Sequence, residues 1–311
     1  MIAHVSKAFF QTLADSRGLQ RLASRYGMRR PDSFARRFIA GETVEEAIAA
    51  ARTLELSGLM QTLDMLGESV ATMAEADAAT RGYLALMDRI VAAGIGRNIS
   101  LKITQLGLTV DRATCVDNLR RVLDRGAATD FMVRIDMENS PYTQVTLEIF
   151  DTMWQQGYRN AGVVLQSYLP RSLADAVRLI ELGARIRLVK GAYNEPTGVA
   201  YQDKREVDSA FVEIMKLLLV RGNYPAIATH DPAMIAATRE FATRRGIPPA
   251  RYEYQMLYGV RRDLQAGLTA EGYRVRVYVP FGREWFPYFM RRLGERPANV
   301  GFVLRGILRE G

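Results

Sequence analysis

The chain has 311 residues, a formal net charge of +8 and 48% hydrophobic residues, with one cysteine and two histidines. That inventory excludes an intramolecular disulfide or a cysteine-based metal cluster and argues against any metal centre. No apolar run reaches the roughly 18–20 residues of a membrane-spanning helix and the N-terminus shows no secretory pattern, so a cytoplasmic protein is expected. The positive charge suits nucleic acid, an anionic membrane surface or an acidic small ligand, and the scattered arginines, without a basic block or spaced aromatics, weigh against nucleic acid.

Residues 1–40 read as a helical extension. VSKAFFQTLADSRGLQRLASRYG has apolar positions at helical spacing and ends before a break at Pro31. Phe9, Phe10 and Leu13 stand among Lys7, Arg17, Arg21 and Arg25. This amphipathic segment either covers the rest of the fold or seeks a membrane.

From residue 41 a rhythm sets in. Strand-like runs recur at GLMQTLDML (58–66), ISLKITQLG (99–107), DFMVRIDME (130–138), AGVVLQSYL (161–169), RIRLVKGAY (185–193), YPAIATHD (224–231), RYEYQMLYG (251–259) and RVRVYVPFG (274–282). Between them lie helical patterns such as TCVDNLRRVLDRG, SLADAVRLIELG and REVDSAFVEIMKLLLVRG, closed by the glycines that favour helix C-termini. Eight alternating units predict an α/β fold, a (β/α)8 TIM-type barrel over 41–311, in preference to an eight-stranded open sheet, because a closed ring leaves no edge.

Strands covered on both sides should be almost wholly aliphatic, and these are not. Alternation sets Leu101 and Ile103 against Ser100, Lys102 and Thr104, and Val133 and Ile135 against Arg134, Asp136 and Glu138. Gln166, Arg187 and Tyr278 repeat the pattern. Leaving such groups unpaired in the interior costs roughly 1–3 kcal/mol each, so they pair with one another or meet a polar ligand. Asp136, Gln166, Arg187, Lys190, Thr229, His230 and Tyr278 all fall toward strand C-termini, where barrel enzymes place their sites.

The final stretch, RVYVPFGREWFPYFMRRLGERPANV, turns at Pro280 and Gly282 into a helix expected to start near Phe286 and stop near Pro297. Tyr288, Arg291, Arg292 and Glu295 then share one stripe. Such a stripe is either a solvated outer face or a cationic wall turned toward a ligand.

LDMLGE (63–68), SLKITQLG (100–107), RIDMENS (134–140), VVLQSYL (163–169), IRLVKGAY (186–193), ATHD (228–231), YEYQMLYGV (252–260) and YVPFG with YFMRRLGERPAN (278–299) resemble, in order, the strand-end motifs of the flavin-dependent proline dehydrogenases, and in length the monofunctional bacterial ones. The resemblance covers about residues 40–311. It implies FAD in a distorted barrel, oxidation of L-proline to Δ1-pyrroline-5-carboxylate as the first step of proline catabolism to glutamate, and electron transfer to a membrane quinone, from the cytoplasm or a peripheral position on the inner face of the membrane. Asp136 and Arg187 are implied beside the reacting end of the isoalloxazine, with Arg187 close to N5. Met137, Gln166, the turn Lys190-Gly191-Ala192, Thr229 and His230 are implied in flavin binding. Lys102, Arg291 and Arg292 would hold the substrate carboxylate, Leu257, Tyr278 and Tyr288 would enclose its ring, and Glu68 would gate the site by pairing with Arg291.

The chemistry makes sense independently. Proline offers one carboxylate and one amine, and paired guanidinia hold a carboxylate through forked, charge-assisted bonds. The bland alternatives stay open: His230 as a core histidine, the tyrosines as packing, Asp136 as a counter-ion to Arg134 or Lys102. A dinucleotide fingerprint GxGxxG is absent, so FAD would not sit on a Rossmann domain. The resemblance also implies that the product passes to a separate Δ1-pyrroline-5-carboxylate dehydrogenase, by diffusion or contact. Rival readings are a 4-hydroxyproline dehydrogenase, a methylenetetrahydrofolate reductase-like flavin barrel, and a non-catalytic basic barrel that binds membrane or nucleic acid.

Overall fold

The computed structural model describes residue 28 and residues 33–67 and 69–295. The expected helix over 5–27 and the expected stop near Pro297 lie outside them. Eight strands form a closed barrel: β1 (Met60–Met65), β2 (Asn98–Leu101), β3 (Met132–Ile135), β4 (Ala161–Gln166), β5 (Arg185–Val189), β6 (Ala226–Ala228), β7 (Glu253–Leu257) and β8 (Val275–Phe281). Each pairs in parallel with the next, and β8 closes on β1 from Met60 opposite Arg276 to Met65 opposite Phe281. The expected (β/α)8 barrel is what the chain forms.

Among the described residues, eight helices wind between and around the strands. They are α1 (Val44–Leu56), α2 (Met73–Ala93), α3 (Arg112–Ala128), α4 (Ser140–Gln155), α5 (Ser172–Glu181), α6 (Lys204–Arg221), α7 (Pro232–Arg244) and α8 (Arg262–Ala270). The start of α1 is fixed by a capping box, in which the Thr43 hydroxyl accepts from the Glu46 N–H while the Glu46 carboxylate accepts from the Thr43 N–H. The outward strand residues, Leu63, Ile99, Leu101, Val133, Ile135, Ile186, Leu188, Val277 and Val279, are fully buried against this coat.

A ninth helix, α9 (Trp285–Glu295), does not join that coat. The place beside β8 and β1 is taken by α1, which packs on both strands. Helix α9 instead builds its own cluster, in which Trp285, Tyr288, Phe289 and Met290 meet Met28, Ala35, Phe38, Ile39 and Leu66. A short 3-10 turn at Phe34–Arg37 belongs to the same cluster through Ala35, and the indole N–H of Trp285 donates to Glu42. Chain geometry forces this: α1 leaves no room along the barrel wall, so the last helix lies where its apolar face finds partners, near the barrel's carboxyl end.

Several strands stop earlier than the alternation suggests. The run 99–107 is strand only to Leu101. Beyond it Gln105 N–H donates to Lys102 O, Leu106 to Ile103 O and Val110 to Gly107 O, a chain of tight turns. The ladder with β3 ends when Asp136 N–H donates to Leu101 O at 2.8 Å. Alternation persists in the sequence after the ladder runs out, because the same side-chain order serves the mouth of the barrel.

Candidate active site at the carboxyl end of the barrel

A cavity of about 370 Å³ opens at the carboxyl ends of the strands. Fifteen of the sixteen expected site residues line it: Lys102, Asp136, Met137, Gln166, Arg187, Lys190, Gly191, Ala192, Thr229, His230, Leu257, Tyr278, Tyr288, Arg291 and Arg292. Glu68 lies outside the described residues. Arg291 and Arg292 are half-buried cavity walls, so the solvated-face reading of the α9 stripe does not hold for them.

At the centre stands Arg187, in the middle of β5. Its Nη1 donates to Asp136 Oδ1 at 2.7 Å and its Nη2 to Ser100 Oγ at 3.0 Å. The phenol of Tyr278 donates to the other Asp136 oxygen at 2.8 Å, and the Tyr278 ring lies 5.5 Å from the guanidinium carbon. Burial, reinforced by the charges of Asp136 and Asp64, pushes the Tyr278 phenol far above its ordinary range, so it remains a donor. Three strands therefore hold one guanidinium in a fixed plane.

Asp136 does not neutralise Arg134 or Lys102. Arg134 donates to the carbonyls of Val163 and Arg185 instead, and burial, followed by the charge of Arg187, pushes it down to about 9. Lys102 pairs with Asp64 on β1, Nζ to Oδ2 at 3.2 Å. Asp64 is fully buried, and burial pushes its carboxyl up against the pull of Lys102.

The opposite wall is built from loops. Gln166, at the end of β4, donates to the carbonyls of Met137 and Glu138 at 3.2 and 3.1 Å. The His230 Nε2 accepts from the Leu257 N–H at 2.9 Å, which leaves Nδ1 to carry the proton of the neutral ring. Lys190 donates to Asp231 at 2.7 Å and to Asp208, and Lys204 bonds the same two carboxylates. Burial alone would raise the Asp231 carboxyl, but bonds from Lys190, the Ala233 N–H and Lys204 outweigh it and hold it at about 2.

The buried Gln166 Oε1 and Arg187 Nε on the wall have no hydrogen-bond partner among the described residues. An acceptor and a donor left unmade in this way are costly unless a ligand meets them. Gly191 sits at φ +119°, and a Cβ there would lie 2.6 Å from the Tyr168 ring, so the backbone alone can form this part of the wall.

A family model described as proline dehydrogenase matches residues 47–305. The chain belongs to the proline dehydrogenase family. It is 41% identical over 310 residues to proline dehydrogenase 1 of Bacillus subtilis (strain 168), covering 100% of both chains. It is 42% identical over 281 residues to the proline dehydrogenase of Deinococcus radiodurans, covering 89% of this chain and 91% of that one. Among solved structures, proline utilization A from Bdellovibrio bacteriovorus inactivated by N-propargylglycine superposes with a TM-score of 0.79 at 28% identity, over 83% of this chain and 32% of that one. This chain thus spans about a third of that larger protein. As a proline dehydrogenase, the protein catalyses the step that opens proline catabolism.

Further residues support or line the cavity. Asp64 lies behind the wall as the partner of Lys102, and MQTLDM places it inward beside Thr62 by simple alternation. Tyr193 lines the cavity with its ring 6.0 Å from the Arg291 guanidinium carbon, a pairing between a loop and α9 that no local pattern announces. Gln255 and Val164 complete the wall from β7 and β4.

Proposed function

We propose that this proline dehydrogenase holds FAD in the barrel cavity and oxidises L-proline to Δ1-pyrroline-5-carboxylate, the electrons passing on to a membrane quinone. The observation that carries the reading is a single cavity that joins Lys102, Arg291 and Arg292 to the Asp136–Arg187 pair and to the buried Gln166 Oε1 and Arg187 Nε, which have no partner among the described residues. Those atoms fit a flavin, whose ring presents both donors and acceptors: Gln166 Oε1 suits a ring N–H and Arg187 Nε a ring acceptor. When bound, flavin supplies the two-electron sink that the residues themselves lack.

The residues do the rest by position and charge. Arg291 and Arg292 fork onto the proline carboxylate with Lys102 as a third cation, which fixes the one group that can orient so small a substrate. Leu257, Tyr278 and Tyr288 wall in the pyrrolidine ring and keep water from it. Arg187, immobilised by Asp136 and Ser100, places a positive charge where negative charge accumulates as the substrate is oxidised. Met137, Gln166, Lys190, Gly191, Ala192, Thr229 and His230 hold the cofactor. The proton of the substrate nitrogen leaves to solvent.

No helix of the described residues is long and apolar enough to cross a membrane. We place the enzyme in the cytoplasm, meeting the quinone at the inner membrane face, and place the next oxidation on a separate Δ1-pyrroline-5-carboxylate dehydrogenase. The test is anaerobic addition of L-proline to the purified protein. Loss of a yellow absorption band supports the proposal. A colourless protein, or a yellow one bleached by 4-hydroxyproline and not by proline, overturns it.

A further inference from the structure

The segment after β5 carries a feature that the reaction does not use. Between Gly191 and Val199 every residue is exposed or half-exposed except Glu195, which is 8% exposed. A carboxylate buried amid exposed neighbours has been drawn in by something. Its two oxygens accept the backbone N–H of Ser140, at 2.7 Å, and the Ser140 hydroxyl. Ser140 is the first residue of α4, a helix whose own N-cap, Asn139, makes no side-chain cap bond. Glu195 therefore caps a helix more than fifty residues away in sequence, with its charge at the positive end of the helix dipole.

A second anchor lies beside it. Tyr168, buried after β4, accepts from the Tyr201 N–H and donates its own N–H to Lys190 O at 2.9 Å. Its ring fills the space a Gly191 Cβ would need, and its phenol points at Glu195 Oε1 from 3.5 Å. Gln202 closes the loop by donating to the carbonyls of Glu195 and Ala200. The 190–202 segment is thus wrapped round one aromatic ring and pinned by one carboxylate.

We propose that Glu195 is a positioning residue: its capping of α4 locks the loops after β3 and β5 together and thereby holds the Lys190-Gly191-Ala192 turn against the cofactor. The proposal rests on the flavin reading of the cavity. Met137 precedes Ser140 in the loop after β3 and the turn precedes Glu195 in the loop after β5, and both line the cavity, so opening the lock loosens both. The proposed proline contacts come from the end of β2, β7, β8 and α9, and the segment reaches them only through Tyr193, whose ring lies 6.0 Å from the Arg291 guanidinium carbon.

The experiment compares the flavin-loaded protein with Glu195→Gln and Ser140→Ala. Glu195→Gln removes the charge-assisted bonds at nearly constant shape, and flavin release on dilution is expected to be about tenfold faster, with a smaller rise for Ser140→Ala. With excess FAD the KM for proline is expected to change far less than flavin release does. Chymotryptic cleavage after Tyr193 and Tyr201, read by mass spectrometry, should come sooner in both variants while the rest of the barrel resists. Unchanged release and cleavage, a KM rise with flavin retained, or cleavage spread over the whole barrel each overturn the lock. If the unsubstituted protein takes up no flavin, the cofactor reading falls, and the cleavage comparison by itself decides for or against the lock.

Discussion

Arg187→Met removes the guanidinium that bonds both Asp136 and Ser100 while keeping an unbranched apolar side chain. Its 2.7 Å bond to Asp136 and 3.0 Å bond to Ser100 are both buried, and Asp136 is left with Tyr278 alone. Breaking a buried ion pair by deleting one partner costs about 3–5 kcal/mol. Here Asp136 keeps one donor and borders an open cavity, so a stability loss near ~3 kcal/mol is expected from urea melts with flavin present. The chemical step should suffer comparably, since one preorganised charge-stabilising donor accounts for roughly 10²–10³ in rate. Anaerobic stopped-flow mixing with saturating L-proline measures that step directly. Bleaching slowed by about 10²-fold or more, with proline affinity changed less than about fivefold, is the expected result. Bleaching at the unsubstituted rate would show that Arg187 stands outside the reacting centre. Arg187→Lys, which keeps charge but not the fork, should recover only part of the rate.

Arg291→Lys and Arg292→Lys should each raise KM for proline by about 10–100-fold with flavin content unchanged, because a forked bond to carboxylate is lost; an unchanged KM in steady-state assays removes both from the substrate site. Tyr288→Ala should narrow the preference for proline over 4-hydroxyproline, since a buried ring next to Arg292 is replaced by space; equal specificity ratios before and after would contradict the wall. The Asp231 carboxyl, held at about 2 against an ordinary 3.8, contributes stability that is complete above pH 4 and disappears as pH falls through 2. Solvent screening of this partly exposed group holds that contribution to about 1 kcal/mol, and Asp231→Asn should remove the corresponding part of the acid destabilisation between pH 4 and 2 in thermal melts. An identical acid profile for the variant would show that Lys190 and Lys204 do not lower this group.

The barrel was legible because its signals are local and repeated. The apolar half of each strand recurs at a period of two, and the glycines that close helices recur between strands. Asp136, Gln166, Arg187 and Tyr278 stood out because a parallel barrel strand has no solvent face to excuse a polar residue. The lengths of the strands were not legible, since alternation continues past the last ladder bond at Leu101 and past Val189. Asp64 was within reach of the same reasoning and Tyr193 was not.

By itself, then, the amino-acid order determined how many strands there are, which way their side chains alternate, and that charge lies inside the ring. Only the folded chain decided which charges meet: Asp136 with Arg187 and Lys102 with Asp64, across register and shear that no linear pattern encodes. It also decided that α9 lies across the mouth, because α1 already fills the wall beside β8 and β1. Alternation is a property of neighbours in sequence, whereas pairing across a closed sheet depends on how separate strands slide past one another when the ring shuts.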